Sequence, residues 1–126
     1  MSFALIDKVV ECDARRVVAK MRLAPDAQHL RDHFEGFPIQ PGVLMLESLV
    51  QAARELTRQR PDQPWVLGDV RALRFGAMLR PGDGLNVTVE VVGDDADRIS
   101  FKGEGLLDSD GTVAVSGKFS LRVLRP

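Results

Sequence analysis

Residues 32–51, DHFEGFPIQPGVLMLESLVQ, hold two side chains able to move protons, His33 and Glu47. Glu47 stands among Val43, Leu44, Met45, Leu46, Leu49 and Val50. An ionised carboxylate in such surroundings is costly unless it is paired, hydrogen-bonded or neutralised. Gln51, four residues on, shares its helical face. The bland readings are a capping acid near a helix start, or a loop histidine satisfied by backbone. Together, an acid and a base beside a buried helix start suit general acid–base catalysis, which needs shifted proton affinities. Gly42 adds a donor. A glycine at a helix entry lets a ligand approach the backbone, and the N–H groups there point outward with the positive dipole end behind them. Such donors polarise a carbonyl whose α-proton is being removed.

Other chemistries fit less well. His29 and His33 are four apart in HLRDH, with Asp26 and Asp32 nearby, but there is no third histidine and no HExxH, so no metal site is expected. Ser48 and Cys12 lack a nucleophile motif. GDGLNV is followed by no helix and reads as a turn rather than a dinucleotide loop. No cofactor is implied.

The elements around these residues are legible from periodicity. FALIDKVVE and RRVVAKMRL read as two strands, the second with Val17, Ala19, Met21 and Leu23 alternating against Val18, Lys20 and Arg22. A long connection, APDAQHLRDHFEGFPIQPG, follows; loops of that length in compact domains are often functional. One helix is expected from about Val43 to Arg58 or Arg60, bounded by Pro41-Gly42 and by Pro61 and Pro64. Its first turns should be buried on every side, with Ala53 and Leu56 continuing the core and Arg54, Glu55, Arg58 and Gln59 facing water. WVLGDVRALRF, LNVTVEVV, RISFKGEGLLD and TVAVSGKFSLRVL then form a meander. The last of these should put Val113, Val115, Gly117, Phe119, Leu121 and Val123 on one face. Six strands at about 4.8 Å each span roughly 29 Å, and one helix is only about 10 Å wide. The sheet must therefore curl around the helix, and apolar pairs such as Val91 with Val92 and Leu106 with Leu107 call for a second copy. The expected fold is α+β, a curved antiparallel sheet around one central helix, with residues 1–126 as a single domain.

Composition bounds the rest. The chain has 126 residues, is 44% hydrophobic and 28% charged, and carries a formal charge of −1, which argues against a nucleic-acid binder. Residues 54–80 hold six arginines against three acids, and residues 81–112 eight acids against two bases. One cysteine permits no internal disulfide and fits a reducing compartment. No signal peptide or membrane span is apparent, so a soluble cytoplasmic protein is expected.

HFEGFPIQPGVLMLESLVQ resembles the signature of the FabZ-type 3-hydroxyacyl-(acyl-carrier-protein) dehydratases, His-Phe-Pro-Gly-x-Pro-x-x-Pro-Gly-Val-Leu-x-x-Glu-x-x-x-Gln. His33, Phe34, Gly36, Pro38, Pro41, Gly42, Val43, Leu44, Glu47 and Gln51 match in register. FALIDKVVE and the LRF and RPGD segments are similar to the family's first strand and to its strand and turn after the helix. The resemblance implies a hot-dog fold and a homodimer, with a trimer of dimers left open. It implies His33 as base, Glu47 from the other subunit as acid, and the Gly42 N–H as holder of the thioester carbonyl. Gln51, Phe34, Pro41 and Val43 would support them. The implied partner is an acyl carrier protein, for which Arg54, Arg58, Arg71 and Arg74 are candidate contacts by charge complementarity. Glu35 replaces the family's usual proline, and there is no tyrosine, which leaves Trp65, Phe37 or Phe75 as the aromatic gate of an acyl tunnel. A hot-dog thioesterase and a non-catalytic carrier-binding subunit are the alternatives; the matched His33–Glu47 pair favours dehydration.

Overall fold

The computed structural model describes residues 6–22, 42–58, 65–80 and 82–123. Among these residues are six strands and one helix: β1 (Lys8–Cys12), β2 (Arg16–Arg22), α1 (Gly42–Thr57), β3 (Trp65–Phe75), β4 (Gly84–Asp94), β5 (Arg98–Leu107) and β6 (Val113–Val123). The strands make one antiparallel sheet in the order β1-β2-β4-β5-β6-β3, so the expected four-strand meander holds only for β4, β5 and β6, while β3 crosses to the far edge beside β6. The helix touches all six. A flat sheet of about 29 Å offers no such reach to a rod about 10 Å wide, so the sheet curls around α1, as its patterning demands.

Alternation sorts the faces. Val17, Ala19 and Met21 of β2, Leu85, Val87 and Val89 of β4, and Ile99 and Phe101 of β5 are buried against the helix, as are Phe119 and Leu121 of β6. Phe101 and Phe119 are cross-strand partners whose rings stack with centroids 5.3 Å apart, an arrangement that stabilises beyond area burial. On α1, Met45, Ser48, Leu49, Ala52, Ala53 and Leu56 recur at helical spacing and are buried. Leu46, Glu47 and Gln51 are only half-buried. The first turns are thus not covered all round in a single chain: a stripe through positions 46, 47 and 51 is left part-open. Val43 and Leu44 lie in the helix, but their side chains are outside the description.

Small residues bring helix and sheet together. Gly103 and Gly117 face one another on β5 and β6, and a Cβ on Gly103 would already stand 3.4 Å from Leu49, Phe119 and Val89. Gly105 is tighter: its Cβ would come within 2.9 Å of the fully buried Leu85 side chain. Gly105→Val is expected to destabilise the protein by about 1–3 kcal/mol through overpacking, read as a lower urea midpoint with an unchanged slope.

Bulges change what alternation alone would give, and three of the five register shifts among the described residues fall on β3 and β6. In β6, Gly105 pairs with Val115 but Leu106 with Val113, so Ala114 is the extra residue. Ala114 and Val115 are both buried, while Val113 is turned outward and 41% exposed. Its expected place on the inner face is therefore wrong by one residue, because a bulge reverses the parity of everything beyond it. Edge strand β3 has two further shifts, between Leu67 and Val70 and between Arg71 and Arg74. The first strand is shorter than FALIDKVVE suggested, starting at Lys8.

Candidate active site

Glu47 is the sixth residue of α1, which places it in the second turn. The orphan N–H groups that a capping acid would bond belong to the first turn, where the helix has no acidic residue. The capping reading therefore fails on position. Glu47 stays half-buried between Met45, Ser48 and Val50, all three buried, with Gln51 one turn further along the same face. Gly42 opens the helix, so its N–H is one of the four without an intrahelical acceptor, at the positive end of the dipole. Gly42 and Glu47 are five residues apart, about 7.5 Å along the axis. One rigid element thus carries both an N–H without an intrahelical acceptor and a carboxyl group.

His33, Phe34 and Pro41 lie outside the described residues, as do Phe37 and Glu35. Ser48, set aside as a nucleophile on motif grounds, is fully buried and donates a hydrogen bond to the Met21 sulfur at 3.1 Å; its hydroxyl helps fasten the helix to β2. Cys12 is exposed on edge strand β1. Partial burial, then the negative charges of Glu55 and Asp13, push its thiol up from the ordinary value. That is the opposite of thiolate activation. No group of three or more His, Cys, Asp or Glu suited to a metal occurs among the described residues. Of the aromatic candidates, Trp65 is buried and Phe75 is 50% exposed.

The four arginines proposed as contacts do not form one patch. Arg54 donates to the Trp65 carbonyl oxygen at 2.9 Å, which ties the end of α1 to the start of β3. Arg58 pairs with Glu55 at 3.2 Å. Arg71 lies six residues beyond Trp65 on β3, roughly 20 Å further at about 3.3 Å per residue, and pairs with Asp69 at 3.4 Å. Asp69 also accepts from Ser120 and Arg98. The Ser120 hydroxyl first, and then the Arg98 guanidinium, hold its carboxyl below the usual carboxylate range. Arg74 alone of the four has neither an ion pair nor a side-chain hydrogen bond among the described residues.

A strongly curved antiparallel sheet closed on one helix defines the hot-dog class of folds. The match to the ApeI-like family model, described as ApeI dehydratase, spans residues 9–118, and the chain belongs to that family. It is similar to the 3-hydroxyacyl-[acyl-carrier-protein] dehydratase FabZ of Thermus thermophilus, with 34% identity over 91% of this chain and 88% of the relative. The FabZ of Oceanobacillus iheyensis is 30% identical over 96% of this chain and 88% of its own. Among solved structures, the dehydratase heterocomplex ApeI:P from Xenorhabdus doucetiae superposes with a TM-score of 0.77 at 22% identity, covering 97% of this chain and 84% of that one. A thioesterase superfamily member from Thermus thermophilus gives 0.71 at 16% identity, covering 86% and 80%. These two likenesses carry the fold. The family and the FabZ relatives carry the activity class, that of a hydro-lyase.

Proposed function

We propose that this chain eliminates water from a 3-hydroxyacyl thioester held on an acyl carrier protein, giving a trans-2-enoyl thioester in fatty acid or related acyl-chain synthesis. The observation that carries the reading is the placement of Glu47, a half-buried carboxyl in the second turn of a helix whose entry is Gly42. The FabZ names of the relatives support the substrate class. In this reading the Gly42 N–H receives the thioester carbonyl oxygen, which acidifies the C2 proton. His33 takes that proton. The C2–H electron pair becomes the C2=C3 bond as the C3–O bond breaks, and protonated Glu47 delivers its proton to the departing oxygen, which leaves as water. No cofactor takes part, and a cytoplasmic location fits this role.

The active form in this reading is a homodimer with His33 and Glu47 of each site drawn from different subunits. Support comes from the part-open stripe along α1 and from exposed Leu67, Phe75 and Met78 on and after edge strand β3, since apolar patches of this kind mark association surfaces. Light scattering at micromolar concentration is expected to give twice the chain mass or a multiple of it. A fully active monomer would remove the shared site. Carrier docking through cationic side chains predicts turnover that falls with added salt for carrier-bound substrate only.

The reaction is tested by following enoyl absorbance and free thiol in the same sample of 3-hydroxyacyl thioester. Enoyl formation with the thioester intact is expected. Thiol release without enoyl product would make the protein a thioesterase, and neither signal with carrier-bound substrate would make it a binding subunit.

A further inference from the structure

The outer face of the sheet, turned away from α1, carries a second arrangement that the dehydration reading does not use. Strand register sets the outward side chains in rungs. One rung runs Arg16, Glu90, Lys102, Lys118, Arg71 from β2 to β3, and the next runs Thr88, Glu104, Ser116, Arg74. Lys102 and Lys118 are direct cross-strand partners, with Arg71 beyond them. Like charges directly opposite one another destabilise a sheet. Glu90 is engaged on its other side by Arg16 at 3.4 Å. Lys102, Lys118 and Arg74 have no ion pair among the described residues. They line a depression of about 340 Å³ together with Ala72, the half-buried hydroxyl residues Thr88 and Ser116, and two carboxylates, Glu104 and the Arg16-paired Glu90.

The backbone is strained to build it. Arg71 and Arg74 are three residues apart, so in a regular strand they would face opposite sides of the sheet. The bulge between them turns Arg74 outward beside Ser116 and sends Leu73 inward, over Gly117. Within that bulge Ala72 adopts φ 52°, the one left-handed non-glycine residue among the described residues. A left-handed alanine costs about 1–2 kcal/mol. Backbone outliers of this kind cluster at ligand sites, and bulges re-aim side chains there.

We propose that this depression is a binding site for a multiply charged phosphate group, with Arg74, Lys102 and Lys118 as its cationic contacts and the Thr88 and Ser116 hydroxyls as further donors. Its size is that of a small-ligand site. Three cations from three strands suit an anion of charge two or more, which relieves the Lys102–Lys118 repulsion on binding. Glu104, and Glu90 where Arg16 does not cover it, select against an extended polyanion and favour a ligand that also offers a hydroxyl or amine. Such a group belongs either to a soluble phosphate ester or to a lipid headgroup.

The probes are pyrophosphate, titrated calorimetrically at low ionic strength, and vesicles of neutral lipid with or without phosphatidic acid. The proposal expects one saturable pyrophosphate site per chain. The double variant Lys102→Gln, Lys118→Gln should bind about tenfold more weakly or worse, through loss of charge-assisted contacts, and Glu104→Gln should bind more tightly. Melting of the unliganded double variant should be unchanged or higher, since a repulsive pair is removed; this separates lost binding from lost fold. Binding to pyrophosphate alone assigns a soluble ligand. Phosphatidic-acid-dependent vesicle binding that the double variant loses assigns a headgroup. Absence of both with wild-type protein, or binding that survives unchanged in the folded double variant, overturns the proposal.

Discussion

Glu47→Gln is expected to leave a folded protein that has lost about 10²–10⁴-fold in dehydration rate, the range for removal of a positioned general acid or base. The amide matches the carboxyl in shape, so the second turn of α1 and the burial of Met45, Ser48 and Val50 within it should survive. What is lost is the proton. Without it the 3-oxygen must leave as hydroxide, and polarisation of the carbonyl at Gly42 does nothing for that bond. The substrate KM should change little, because binding does not depend on proton delivery. His33→Ala should lower the rate on a similar scale by removing the base for C2. A double variant no slower than either single one would show that the two act as a unit. Near-normal turnover in folded Glu47→Gln would end the assignment, whatever the product.

Substitutions at Gly42 separate two roles of the helix entry. Gly42→Pro keeps a helical backbone angle, since proline is tolerated in the first turn, but it deletes the N–H. The rate constant is expected to fall by about 10²–10³-fold, as when one donor to a developing oxyanion is removed. Gly42→Ala keeps the donor and adds a methyl group where a thioester must approach. Its effect should fall mainly on KM. Equal losses of kcat in both variants would mean that space, rather than the donor, is what Gly42 provides. Circular dichroism and the melting temperature of each variant check that α1 still starts there.

Glu47 stood out in the sequence because four apolar residues precede it and Leu49 and Val50 follow, and a helix explains that run. The helix limits followed from prolines and a glycine, and the structure moves them by one to three residues. Strand number was likewise readable from alternation and turns, but sheet order was not: β3 pairs with β6 rather than β4, a choice with no local signal. Nor were the bulges readable. Each is a single extra residue whose cause lies in the neighbouring strand, so the outward turn of Val113 and the shared face of Arg71 and Arg74 have no local signal. For the same reason a charge count along the chain misled. Residues 81–112 are acidic in sum, yet Lys102 from that stretch stands beside Lys118 and Arg71 once register is applied. Lys102 and Lys118 each showed as the polar member of an alternating strand, and only pairing could say that they meet.

The two bulges of β3 also bear on the fate of the protein at high concentration. An eleven-residue strand at the border of a sheet is a template on which foreign strands can stack, the route to fibres. Growth of that kind needs about six or seven residues in unbroken register. Along β3 the paired runs are Trp65 to Leu67, Val70 to Arg71 and Arg74 to Phe75, each far too short. A straight strand from an unfolded chain cannot follow such a broken outline, whereas a strand with matching interruptions can. Straightening β3 by deleting one residue from each bulge, Gly68 and Ala72, would therefore lower solubility before it was felt in catalysis.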